Sequence, residues 1–278
     1  MTERHCGFVL FLFCLFVLLL VVLCCSPFSY TLSHLPAEVF PVLFNLALGF
    51  PLALSAIQIL IIDLGTEMAP GVSVAYEPSE GNVMSRPPRD ATKERLVNIQ
   101  MAFYCIVQVG LVQAFNCFLA FFLVFHHYGI GIAELFDSKK HFQSGADNDP
   151  ILWSDGSVRY DSDEQVEILC RAQTAYWVML VTAQMAHLFM TKTKVMSIFR
   201  YPLFANPLTV WALAIELCLL LLIVLPPSSH IIFGTNTFPP IYALLVLLAP
   251  ALLLVITEAQ KAVLRARPNG FVARYIKY

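Results

Sequence analysis

The chain has 278 residues, of which 58% are apolar and only 13% charged, and its mean hydropathy is +0.72. This excludes an ordinary soluble domain and indicates a multi-spanning, all-α membrane helix bundle. The net charge of −2 gives no basic footprint for nucleic acid.

Eight cysteines are present. Cys14, Cys24, Cys25, Cys105, Cys117, Cys170 and Cys218 lie in or beside apolar runs, and Cys6 just precedes one. None sits in a long polar loop, so they read as buried free thiols, not as a disulfide framework.

A helix needs about 20 apolar residues to cross a bilayer. Residues 1–29 form a hydrophobic leader whose run 8–25 carries no charge. Residues 30–76 read as a helical hairpin, joined at Gly49-Phe50-Pro51. A polar linker, 77–99, follows. Residues 100–262 read as four further spans, near 100–125, 169–191, 206–225 and 240–260, with a polar loop at 126–168. Residues 263–278 form a tail. The linker, the 192–205 connection and the tail are rich in Lys and Arg, whereas the 126–168 loop is acidic. Basic loops stay on the cytoplasmic side, so the expected arrangement is six spans from residue 30 onward with both ends cytoplasmic.

Four acids fall inside these spans: Glu38, Asp63, Glu67 and Glu216. A charge at the bilayer centre costs about 2.5–3.5 kcal/mol on insertion scales, so such residues face the bundle interior and commonly serve ions or protons. Glu216 alone reads equally as a protonated structural acid. Asp63 and Glu67 are spaced four apart and share a helix face. Gly65 and Pro70 favour a local break, which would free carbonyls beside the carboxylates, and Thr66 adds one more oxygen. Oxygen-rich sites suit hard cations. Glu38 is flanked by Pro36 and Pro41, which remove helix hydrogen bonds. An ion site between the two arms of the hairpin is the economical inference. His34, four residues before Glu38, can pair with it on one face.

The strings "SYTLSHLPAEVFP", "ILIIDLGTEMAPGVSVAYE", "SRPPRDATKERLVN" and "RARPNGFVARYIKY" resemble the C-terminal membrane region of P-type cation ATPases, in the sodium/potassium and proton/potassium branch. The resemblance runs from about residue 29 to the end and covers that family's fifth to tenth helices. It implies that Glu38 is the cation-binding glutamate of the fifth helix and that Asp63 and Glu67 stand at the two acids of the sixth. It places Gln184 and Glu216 near the family's extra sodium site. Sodium or potassium, with the proton as a third candidate, are the implied transported ions, and the plasma membrane is the implied location.

The sequence also departs from that pattern. His187 stands where the family has an aspartate, and His34 where it has a serine or a lysine. These two histidines would modulate the charge of the site. The string "QAFNCFL" lacks the family's paired glycines, and "LWSDGSVRYDSD" replaces its β-contact sequence, which argues against a β-type subunit. The phosphorylation string D-K-T-G-T and the string T-G-E-S do not occur. The chain alone is therefore expected to hold no cofactor and not to be an enzyme; magnesium and ATP would belong to missing domains. The implied partners are the lipid bilayer and the missing catalytic half of a pump. The alternative is a non-catalytic membrane module that binds or regulates a complete pump. Residues 1–29 do not fit the family. They read as a signal peptide, as an added span or, the reading we favour, as the mark of a truncated gene model.

Overall fold

The structure, a computed structural model, describes residues 28–78, 99–142, 151–153, 158–267 and 270. Nearly all of the leader, most of the 77–99 linker, residues 143–150 and 154–157 of the 126–168 loop and nearly all of the tail lie outside these residues. What is described is an all-α bundle. A short antiparallel ribbon, β1 (Ile151–Trp153) with β2 (Val158–Tyr160), is the small exception.

The helices, in chain order, are α1 (Phe28–Leu48), α2 (Ala56–Ile61), α3 (Met68–Ala75), α4 (Ile99–Ala102), α5 (Leu111–His127), α6 (Ser162–Thr191), α7 (Pro207–Val224), α8 (Pro227–Phe233) and α9 (Leu248–Ala266). Wide π turns join α2 to α3 (Ile62–Thr66) and α4 to α5 (Phe103–Gly110). A tight helical stretch, Pro240–Leu247, leads into α9.

Local signals fix the helix starts. Ser55 and Gln58 form a reciprocal capping box at α2, and Asp161 with Glu164 does the same at α6. At α7, the Asn206 side chain accepts from the Leu208 N–H at 3.0 Å, and Pro207 occupies the first turn. The α1–α2 turn needs Gly49 at φ 66, because a Cβ there would meet the Asp137 backbone at 2.7 Å.

Four stretches among the described residues are long and apolar enough to cross a membrane: Ser29–Leu48, Ala56–Ala75, Ile99–His127 and Pro207–Val224. Helix α6 does not stand out this way because it is the buried centre of the bundle. There it can carry Gln173, Thr174, Gln184 and His187 without exposing them to lipid. It packs on α5, α9 and α1. An aromatic core fills the seam, with Phe118 edge-on to Tyr176 at 5.2 Å and Phe121 on Phe125 at 5.0 Å. The outer faces are apolar: Leu64, Met68, Trp211 and Leu222 are all exposed. Such a surface suits lipid or further helices, not water.

Both prolines of α1 are absorbed without ending the helix. Pro41 has no N–H, so the Ala37 carbonyl loses its helical donor. The Tyr176 hydroxyl donates to that carbonyl instead, at 2.6 Å. Pro36 packs on Gly110, whose missing side chain lets the Phe103–Gly110 segment approach α1 closely.

Candidate functional site

The two arms of the hairpin bring His34, Glu38, Asp63 and Glu67 together, and all four are buried. His34 Nε2 lies 3.0 Å from Glu67 Oε2 and 3.9 Å from Glu38 Oε1. The histidine thus pairs first with the other arm, not with its neighbour one turn along. Ligand atoms of His34, Asp63 and Glu67 all lie within 4.8 Å of one another, a spacing at which they could hold one ion. Oε1 of Glu38 and Oε1 of Glu67 are buried without a hydrogen-bond partner among the described residues. Buried carboxylate oxygens are rarely left so, and a cation or a proton is the natural complement.

The backbone at this point is widened, not open. The Glu67 N–H reaches back five residues to the Ile62 carbonyl, at 2.9 Å. This π turn contains Asp63, Gly65 and Thr66. The expected break at Gly65 therefore takes the form of one wide turn, a feature frequent at functional sites. The Thr66 hydroxyl donates to the Ile62 carbonyl at 3.2 Å, which leaves its oxygen lone pairs free to act as an acceptor. Pro70 falls in the first turn of α3, where a missing N–H is tolerated.

Gln184, His187 and Glu216 lie outside this tight group but are fully or nearly fully buried. Glu216 is close enough to Glu67 and His34 to interact with both electrostatically. Tyr30 links the two groups: its ring stacks on His187 and meets His34 edge-on, each at a centroid distance of 6.2 Å. Ser33 holds His187, with Oγ 3.0 Å from Nδ1. Tyr30, Ser33 and Tyr176 were not singled out from the sequence. Tyr30 had a signal, because 30, 34 and 38 lie at four-residue steps along one helix face.

A third buried group closes one end of the bundle. Lys192 Nζ lies 3.1 Å from Glu77 Oε2, which also accepts from Asn206 Nδ2 at 3.1 Å. Tyr201 donates to Glu77 Oε1 at 3.0 Å. This group is well paired and ties the end of α3 to the 192–206 connection.

A family model described as "Cation transporting ATPase, C-terminus" matches residues 51–263. The sodium/potassium-transporting ATPase subunit alpha-B of Artemia franciscana is 34% identical over 251 residues, covering 90% of this chain and 24% of that protein. The potassium-transporting ATPase alpha chain 2 of Oryctolagus cuniculus is 35% identical over 195 residues, covering 70% of this chain and 18% of that protein. The sodium/potassium-transporting ATPase subunit alpha-4 of Homo sapiens is 30% identical over 249 residues, covering 90% and 24%. This chain spans about a quarter or less of the length of these curated relatives.

Proposed function

This chain belongs to the cation-transporting ATPase family, as its C-terminal membrane region, and we propose that it supplies part of the intramembrane cation site of a sodium/potassium- or proton/potassium-type pump. The observation that carries this is the meeting of Glu38, Asp63 and Glu67 around His34 across two adjacent helices. Three carboxylates this close in a low-dielectric interior need a cation or shared protons to balance their charge. The wide turn at 62–66 carries Asp63 and Thr66, and turns of this kind are frequent at functional sites. His34, in its protonated form, would stand in for part of a bound cation. Thr66 would offer an oxygen, and Gln184 and Glu216 would extend the polar interior toward α6 and α7.

The transported ion in this reading is sodium or potassium, with the proton as the third candidate, and the membrane is the plasma membrane. Six spans run from residue 30 onward, with the 126–168 loop extracytoplasmic and the 77–99 linker and the tail cytoplasmic. ATP and magnesium act on domains supplied by a partner half, which also covers the apolar face beside the site. Co-expression with a segment carrying those domains should give a cation-stimulated phosphoenzyme, whereas the isolated 278-residue chain should give none. Cation-stimulated phosphate release by the isolated chain would contradict this assignment of roles.

A further inference from the structure

The connection between α7 and α9 is built unlike a loop that faces water. Residues 217–257 contain no Asp, Glu, Lys or Arg. In the middle of this stretch α8 packs on α7 and leaves Ile231 89% and Ile232 65% exposed. Exposed Leu222 and Leu225 precede them at the end of α7, and exposed Ile241 and Leu244 follow in the tight stretch before α9. Apolar exposure on this scale marks contact with lipid or with another protein.

The polar side chains of the connection turn inward. Thr235 Oγ1 donates to the Ile223 carbonyl at 3.1 Å, and His230 Nε2 donates to the Val224 carbonyl at 2.9 Å. Ser229 Oγ lies 3.0 Å from the Ile223 carbonyl oxygen and 2.5 Å from that of Pro226. The last carbonyls of a helix have no partner within it, and here the connection itself supplies the donors. Pro226-Pro227 and Pro239-Pro240 bound the connection, and proline brings no N–H that needs an acceptor. Water would make these provisions unnecessary, whereas in hydrocarbon every backbone polar group must be satisfied from within the protein. Asn236 marks the wet side: its Nδ2 donates at 3.1 Å to Glu167 Oε1, which is half-exposed and pairs with Arg171 at 2.6 Å.

Helix length gives the depth. Tryptophans gather at the membrane boundary, and exposed Trp211 sits in the second turn of α7, just after the basic 192–205 connection. A straight helix from Trp211 to Leu225 rises about 21 Å, against a hydrocarbon core about 30 Å thick. Any tilt shortens that rise further. α7 therefore ends inside the far leaflet, and α8 follows at that depth. We propose that α8 lies within this leaflet, with Ile231 and Ile232 among the acyl chains and Asn236 and Thr237 at the level of the headgroups. Its partner is lipid. A protein partner would find no charge on this face to recognise, and its polar side chains are already engaged with α7.

The test uses the full purified chain in large nanodiscs of phosphatidylcholine, which leave both ends of the bundle open to reagents. Ile231→Cys and Thr237→Cys are compared for reaction with a sulfonated maleimide, read peptide by peptide in a mass spectrometer. Both positions are exposed, so neither substitution removes a packed side chain. The thiolate is the reactive form and forms poorly in apolar surroundings, so Ile231→Cys should react at least about tenfold more slowly than Thr237→Cys. In a second measurement, phosphatidylcholine with a diazirine on its acyl chain is mixed into the discs. Illumination should attach lipid to Ile231 or Ile232 of the unsubstituted chain. Equal reactivity of the two cysteines would put α8 in water and overturn the proposal, as would the absence of a lipid adduct on α8. Joining of Ile231→Cys to a second copy by a bis-maleimide would make the face a protein contact and overturn it too. None of these results bears on the cation site, because neither measurement involves His34, Glu38, Asp63 or Glu67.

Discussion

Gly110→Ala tests how the hairpin is seated on the rest of the bundle. An added Cβ would sit 2.6 Å from Pro36 Cγ, 2.9 Å from Pro36 Cδ and 2.8 Å from the Ser33 carbonyl oxygen. Carbon contacts are comfortable near 3.5–4.0 Å, so α1 must retreat by about 1 Å. Two of these atoms belong to a rigid ring and one to the backbone, so no flexible side chain can give way. Overpacking of this kind costs about 1–3 kcal/mol, or about 2–12 °C in the unfolding midpoint of a domain this size. The retreat also moves the segment that carries Ser33, His34 and Glu38. The assay is thermal unfolding of the purified chain in detergent, with Gly71→Ala as the control. Gly71 has nothing within 4 Å of the added Cβ. Its substitution should be neutral or stabilising by up to about 1 kcal/mol, from helix propensity alone. A Gly110→Ala variant as stable as the Gly71→Ala control would refute the packing of α1 described here.

Three further outcomes follow from the same structure. Tyr176→Phe leaves the Ala37 carbonyl without its donor and should destabilise the chain by about 1–3 kcal/mol in the same assay. Lys192→Met strands Glu77 in a buried position and should cost about 3–5 kcal/mol, with most of the loss recovered in the double variant Lys192→Met/Glu77→Gln. A cysteine at Lys139 should react with an impermeant reagent in intact cells, and one at Lys194 should react only after permeabilisation; the reverse pattern would reject the proposed orientation.

The bundle itself was legible in the sequence, because apolar length decides membrane crossing without any knowledge of packing. The hairpin turn was equally plain, since Gly49 and Pro51 suit little else. So was the gathering of Glu38, Asp63 and Glu67, because buried charges must share an interior. The finer geometry was not. The four-residue spacing of Asp63 and Glu67 puts them on one face of a regular helix, yet a π turn inserts an extra residue there. One residue turns an α-helix by about 100°, so the relative facing of the two acids depends on a backbone choice that spacing alone does not reveal. The His34–Glu67 contact arises across helices, and local spacing favoured Glu38 instead. The Tyr176 bond to Ala37 joins residues 139 positions apart, and only the fold brings them together. Hydropathy starts helix α6 near 169, but the Asp161–Glu164 capping box begins it at Ser162. Its first turn is polar and therefore invisible to a hydropathy reading.

The most direct test is occlusion of radioactive sodium or rubidium by a pump reconstituted from this chain together with a segment that carries phosphorylation and nucleotide domains. The account predicts that Asp63→Asn abolishes occlusion and that Glu67→Gln weakens it severely, with assembly and phosphorylation domains unchanged. Normal occlusion by Asp63→Asn would contradict it and leave the buried carboxylates of the hairpin as structural groups.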